Sequence, residues 1–242
     1  KEFAKTWKLI CDNFGLLYND LGNVDTLRQA VLQLAVQGKL VPQNPKDEPA
    51  DKLLEKIQAE KAKLIKAGKL KKQNPLPPIT DAEIPYELPN GWKWARTTDV
   101  CLYIVDCPHS TPKFVVEGEN CIDTTCINEK GQILFHKVRK VTTKTFQDRN
   151  IRLEPEAGDI VYSREGSVGQ AIVVPVDYPI CLGQRVMLFR PSKKYISSQY
   201  YRNCVVSEFF LTELLSKHKG LGAKHVNMKD LRSSIIPIPP FA

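Results

Sequence analysis

A proline-rich stretch at residues 74–79 divides the chain into two parts with different hydrophobic patterns. Proline fixes φ and lacks a backbone donor, so such a stretch keeps the chain extended and stiff. Before it, apolar residues recur at helical spacing; after it, short runs of Val, Ile, Thr and aromatic residues alternate with turn residues. We therefore predict an α+β protein: a helical arm over residues 1–80, a linker over 81–91, a mixed β-sheet domain closed by helices over 92–234, and the start of a following connection over 235–242.

The helical arm contains two predicted amphipathic helices. The first has Asp25 as its N-cap and Gly38 as its stop, and the second runs from residue 49 to 67 with Gly68 as its stop. Their apolar residues fall on one face of each helix, which is typical of a surface that packs against another protein or domain. The predicted partner-binding residues are Leu27, Val31, Leu34, Leu53, Ile57 and Leu64.

The second part of the chain predicts short strands followed by one helix. Turn residues separate the strands, and the helix has an inward apolar stripe that includes Tyr201 and Phe209. The apolar segment 235–240 is predicted to be extended and to leave the domain. The predicted strands are 100–104, 132–136, 159–163, 170–174 and 185–189, and the predicted helix is 198–217.

The residue pattern does not support catalysis. A P-loop and a G-x-S-x-G nucleophile motif are both missing from the sequence, and neither the four histidines nor the seven cysteines have metal-ligand spacing. We predict a protein that is not an enzyme and needs no metal or cofactor. The sequence also contains no apolar run of transmembrane length, and an odd cysteine count without a secretion signal indicates the cytoplasm.

Charge and loop composition favour a polyanionic partner. The formal net charge is +8 and the pI is about 9.0, and four loop clusters, 107–113, 162–169, 183–185 and 217–227, carry basic, amide and hydroxyl side chains. Such side chains hold phosphates and read base edges. The predicted DNA-binding residues are Ser110, Thr111, Lys113, Ser163, Arg164, Ser167, Gln184, Arg185, Lys219, Lys224, His225 and Asn227.

Several segments resemble the specificity subunits of type I restriction–modification systems. Residues 27–43 are similar to the conserved helical segment of that family, and residues 47–50, the lysine-rich helix and residues 88–92 follow in the usual order. Residues 158–166, 183–185 and 236–240 are similar to landmarks of its target-recognition domains. The resemblance implies a non-catalytic reader of half of a split duplex DNA site, with methyltransferase subunits and restriction–translocation subunits as partners.

This sequence holds one recognition domain, whereas the family usually carries two. The resemblance therefore implies either the N-terminal half of a longer subunit or a half-length subunit that dimerises, and the end at residues 239–242 favours the first. Two alternatives remain: a protein-interaction module without affinity for DNA, and a nuclease or methyltransferase fragment. The first predicts no salt-dependent DNA binding, and the second requires metal-dependent or S-adenosylmethionine-dependent activity.

Overall fold

A computed structural model describes residues 2–216 and 226–241 and shows an α+β fold. The strands are β1 (Lys93–Arg96), β2 (Cys101–Asp106), β3 (Phe114–Val115), β4 (Glu119–Ile122), β5 (Arg139–Val141), β6 (Ile160–Ser163), β7 (Ala171–Val173), β8 (Ile180–Leu182), β9 (Val186–Pro191) and β10 (Ile235–Ile238). They form two four-stranded sheets, ordered β2-β9-β6-β7 and β3-β5-β4-β8, and a two-stranded sheet of β1 and β10.

Helices precede, connect and close these sheets. They are α1 (Glu2–Asp12), α2 (Phe14–Leu17), α3 (Leu21–Val36), α4 (Ala50–Lys66), α5 (Thr97–Val100), α6 (Thr143–Asn150), α7 (Ser198–Val205), α8 (Glu208–Ser216) and α9 (Met228–Ser233). None of the helices in the described part of the chain combines the length and apolar character that a bilayer crossing requires.

The two predicted helices of the arm correspond to α3 and α4. Gly38 and Gly68 each follow a helix at φ +70°, as predicted for glycine stops. The predicted N-cap of the first helix is wrong: the carboxylate of Asp20 accepts from the Asn23 backbone N–H at 3.0 Å, so α3 begins at Leu21. Asp25 lies inside α3 and pairs with a neighbouring arginine instead.

Helix α4 is part of the body of the protein. Its residues Leu53 and Ile57 are buried in the main hydrophobic core together with Tyr162, Phe189 and Tyr201. The apolar stripe predicted from helical spacing is therefore real, but on α4 these two side chains pack against the protein's own sheet. They are not exposed for a second protein.

The segment expected to leave the domain instead closes it. Strand β10 pairs antiparallel with β1, in a register that runs from Lys93 opposite Ile238 to Arg96 opposite Ile235. All four residues of β10 are buried, and Phe241 exchanges two backbone hydrogen bonds with Glu48, at 2.8 and 3.1 Å. Burial of the isoleucine side chains stabilises this pairing. The extended conformation is as predicted, but the segment pairs with β1 and does not leave the domain.

Two other predictions differ from the structure in detail. Residues 132–136 are not a strand; only Ile133 makes an isolated bridge, to Ile127, and a 3-10 turn begins at Phe135. Within residues 198–216, the predicted helix is two helices, α7 and α8, and the Ser207 hydroxyl between them donates to the Cys204 carbonyl at 2.7 Å. Residue 217, the last of the predicted helix, lies outside the described residues.

Arg96 ties the proline-rich segment to the domain. Its guanidinium is buried and donates to the Pro77 carbonyl, to the Ser233 carbonyl and to the carboxylate of Glu83, the last at 2.9 Å. Hydrogen bonds from Arg96 and Thr80 lower the pKa of the Glu83 carboxyl to about 2. The linker is thus fixed against the strand that follows it.

Candidate nucleic-acid interface

Three of the four predicted loop clusters leave the same end of the β2-β9-β6-β7 sheet. Asp106 at the end of β2 lies opposite Met187, and Ser163 at the end of β6 lies opposite Val186. Both antiparallel partners are at the start of β9, so the loops after β2, after β6 and before β9 emerge together. Sequence patterns place these clusters far apart along the chain, and the sheet topology brings them together.

Backbone hydrogen bonds join the loops where they leave the sheet. The Arg164 N–H donates to the Arg185 carbonyl at 3.0 Å, and the Cys107 N–H donates to the Val186 carbonyl at 3.3 Å. The Val226 N–H donates to the Arg164 carbonyl at 3.0 Å, which brings the described end of the fourth cluster to the same place. Burial raises the pKa of the Cys107 thiol, which favours its neutral form.

Most of the predicted DNA-binding side chains at this end are exposed. Gln184 is half-buried, and Arg185 is 63% exposed with its Nε 3.8 Å from a Glu165 carboxylate oxygen. Arg185 has φ +65°, a conformation that costs a non-glycine residue free energy. The other exposed residues of the set are Ser110, Thr111, Lys113, Ser167 and Asn227.

Ser163 and Arg164, also predicted to contact DNA, are buried. The Arg164 guanidinium lies 3.0 Å from Asp106 and 3.5 Å from Glu165, and it donates to the Val226 carbonyl. In this arrangement both residues belong to the interior, and Arg164 holds three loops together. Lys219, Lys224 and His225 lie outside the described residues.

A second buried arginine at this end was missed by sequence reasoning. Arg149, at the end of α6, donates to the carbonyls of Pro108, Ser110, Leu182 and Gly183. Helix α6 itself was not predicted, although its N-cap has a sequence signal: the Thr142 hydroxyl accepts from the backbone N–H three residues later at 3.2 Å. Nothing in the sequence around Arg149 distinguishes it from a solvated arginine at a helix C-terminus.

The predicted partner-binding residues divide between the surface and the core. On α3, Val31 and Leu34 are 39% and 36% exposed and Leu27 is half-buried, whereas Leu53 and Ile57 of α4 are buried. Leu64 is half-buried. Of the two predicted helices, α3 is therefore the one with exposed residues on its predicted apolar face, and this face lies beside a groove of about 680 Å³ between α3, the β6–β7 hairpin and α8.

The described residues show no cluster of three or more His, Cys, Asp or Glu side chains suited to a metal ion. All seven cysteines are free thiols, and six of them are buried. The loop end of the sheet gathers hydroxyl, amide and cationic side chains, with the carboxylates of Asp106 and Glu165 paired to arginines. Hydroxyls, amides and cations bind phosphate oxygens and base edges.

Comparison with known proteins identifies the family. Residues 114–242 match the type I restriction modification DNA specificity domain. The chain is 34% identical over 245 residues to the EcoAI specificity subunit of Escherichia coli, covering 99% of this chain and 41% of that protein. It is 31% identical over 257 residues to the EcoEI specificity subunit of the same organism, covering 100% of this chain and 42% of that protein.

Among solved structures, the HsdS subunit from Thermoanaerobacter tengcongensis matches 66% of this chain and 41% of its own, at 20% identity and a TM-score of 0.47. The chain spans about two fifths of the length of the curated relatives it matches. The family match covers more than half of the chain, so this protein belongs to the type I restriction–modification DNA specificity family.

Proposed function

We propose that this chain recognises a specific sequence in duplex DNA and reads one half of a bipartite target for a type I restriction–modification complex. The observation that carries the proposal is the convergence of the loops 107–113, 164–170 and 183–185 at one end of a single sheet. A rigid sheet end with exposed basic and amide side chains can hold those groups at a fixed depth in a DNA groove.

The exposed residues and the half-buried Gln184 divide into two roles. Gln184 and Arg185 are the proposed base-reading residues, because amide and guanidinium groups make paired hydrogen bonds to base edges. Lys113 is the proposed phosphate contact, and the hydroxyls of Ser110 and Thr111 suit backbone positions. Ser167 and Asn227 are proposed on the same grounds, and Lys219, Lys224 and His225 stay predictions from the sequence.

The chemistry of the complex is proposed to reside in its partners. Methyltransferase subunits are the proposed partners of the exposed face of α3, where Val31 and Leu34 lie, and restriction–translocation subunits join the same assembly. The chain itself is proposed to be non-catalytic and to work without a cofactor. Either a second recognition domain or a second copy of the chain would supply the other half-site.

One observation favours a second candidate, a protein-interaction module without DNA specificity. The side chains of Leu16 and Leu21, at the start of the arm, are 74% and 83% exposed. Large apolar side chains that are this exposed and this close in sequence are typical of a surface that another protein covers.

A selection experiment separates the two candidates. The full-length protein, assembled with its modification subunits, is used to select bound duplexes from a random pool. A split motif is expected, and exchanging residues 92–234 for those of a relative should change one half of it only. A complex that assembles but enriches no motif would leave the interaction module as the function.

A further inference from the structure

Arg149 connects two of the converging loops from outside both of them. Its side chain rises from α6, which packs against β4 and β8, and is 7% exposed. On one side it donates to the Pro108 and Ser110 carbonyls, at 3.3 and 3.0 Å. On the other it donates to the Leu182 and Gly183 carbonyls, the latter at 3.0 Å. A planar guanidinium has five donors in a fixed fork, so these bonds set the distance and the angle between the two loops.

From this geometry we infer that Arg149 is a positioning residue for recognition: it fixes loop 107–113 relative to loop 183–185, and discrimination between DNA sequences depends on it. The inference rests on the proposed function. All four acceptors are backbone carbonyls, so the arginine holds the loops whatever side chains they carry. The residues that meet DNA, among them Lys113, Gln184 and Arg185, can then differ without loss of the loop geometry.

Specificity and affinity depend differently on such a residue. Bidentate contacts to bases need their side chains at a defined depth and angle, whereas phosphate contacts act mainly through charge and tolerate displacement. A lysine at this position keeps the positive charge but is a compact ammonium with three donors, which cannot bridge both loops. Arg149→Lys should therefore reduce discrimination and leave charge-driven binding unchanged.

Arg190 provides a matched control. It is a mostly buried arginine, with its side chain 11% exposed, at the other end of β9, where it donates to the carboxylate of Asp159 and to the Glu154 carbonyl. Arg190→Lys also breaks a buried guanidinium network in the same sheet, but its contacts are away from the converging loops. Any loss of DNA discrimination that follows from general destabilisation will appear in both Arg149→Lys and Arg190→Lys.

The experiment compares Arg149→Lys and Arg190→Lys in the full-length protein assembled with its modification subunits. Three quantities are measured: the ratio of affinities for the selected duplex and a scrambled duplex, the salt dependence of scrambled-duplex binding, and amide hydrogen exchange in residues 107–113 and 183–185. These two loops include the hydrogen-bonded amides of Cys107 and Gly183. For Arg149→Lys we expect the ratio to fall at least about fivefold, the loss of one weak bidentate contact, with an unchanged salt slope. Amide exchange in both loops should rise in Arg149→Lys. Arg190→Lys should lower neither the affinity ratio nor the protection of these loops from exchange.

Two results would overturn the inference: an unchanged affinity ratio in Arg149→Lys, or an equal fall in Arg190→Lys. Unchanged amide exchange in both loops of Arg149→Lys would also refute the inference, and this test does not need a selected motif. If the wild-type protein selected no motif, that result would count against the proposed function alone. If Arg149→Lys does not fold, Pro108→Gly replaces it, because this change keeps the arginine and the accepting carbonyl but frees the loop backbone. The same fall in the ratio is expected, and an unchanged ratio would contradict the inference.

Discussion

Replacing Arg185 with glycine should remove a proposed base-reading side chain with little change in the free energy of unfolding. Arg185 has φ +65°, which costs a non-glycine residue about 1–2 kcal/mol and costs glycine almost nothing. The substitution relieves this strain, but glycine also gives the unfolded chain more conformational entropy, which lowers the stability by about 0.5–1 kcal/mol. The ion pair of Arg185 with Glu165 spans 3.8 Å, and the arginine is 63% exposed, so its loss costs about 0–1 kcal/mol. The net change in stability therefore lies between a loss of about 1 kcal/mol and a gain of about 1.5 kcal/mol.

The effect on DNA recognition should be much larger. A bidentate arginine contact to a base contributes about 1–3 kcal/mol of discrimination, which corresponds to a fall of about 5- to 150-fold in the affinity ratio between target and scrambled duplex. Lys113→Ala should instead weaken binding to all duplexes and lower the slope of log K against log salt by about 0.9. The two variants together separate base reading from phosphate binding.

The assay is a competition between target and scrambled duplexes at one fixed salt concentration, with thermal unfolding measured on the same preparations. Asp177→Gly is the backbone control, because Asp177 is the other described non-glycine residue with positive φ, at +54°, and lies in the β7–β8 turn at the far end of the sheet. Arg152→Ala is the charge control, an exposed arginine in the loop that enters β6 at that far end. The reasoning fails if Arg185→Gly keeps the wild-type affinity ratio, or if either control lowers the ratio equally.

Three further predictions concern the fold. Gly38→Ala should destabilise the protein more than Gly68→Ala in chemical denaturation: both glycines have φ +70°, but a Cβ at Gly38 would lie 2.7 Å from an indole ring, while Gly68 has open space. Glu83 has a pKa lowered to about 2, so its stabilising contribution is present above its unfolded-state pKa near 4.5 and is lost as pH falls towards 2; Glu83→Gln should flatten the stability profile in that window. Leu53→Ala should cost about 2–5 kcal/mol of stability because Leu53 is buried, whereas Leu34→Ala, at a site 36% exposed, should leave thermal unfolding nearly unchanged and weaken capture of the modification subunits.

Local signals in the sequence were enough to predict much of the fold. The strands predicted at 159–163 and 170–174 correspond to β6 and β7, because their β-branched residues pack on a buried face and turn residues bound them. Strand β8 was not predicted, and the segment that forms β10 was predicted to be extended but not to pair with β1. Their partners are distant in sequence, as Cys121 opposite Cys181 and Arg96 opposite Ile235 show, and pairing at that range leaves no local pattern. Residues 132–136 have a strand-like composition, but only Ile133 makes a bridge.

The site could be predicted by residue type but not by exposure. Arg164 and Arg185 are both arginines in glycine-containing loops, yet one is buried against Asp106 and the other is mostly exposed. The difference arises where β2 and β6 end on either side of the start of β9, which places Asp106, at the end of β2, against Arg164, just after β6. That proximity is a property of the sheet, and the sequence alone does not contain it.

The arrangement at this end of the sheet separates the residues that hold the loops from the residues that face solvent. Arg149 and Arg164 are buried and bond to backbone carbonyls or to Asp106, while Lys113 and Arg185 contribute little to the core. An exposed side chain that makes few contacts can change at small cost in stability, whereas a buried donor left without its acceptor costs about 1–3 kcal/mol. On the proposed function, a protein built in this way can acquire a different DNA preference through its exposed loop side chains while the sheet and its buried arginines stay the same.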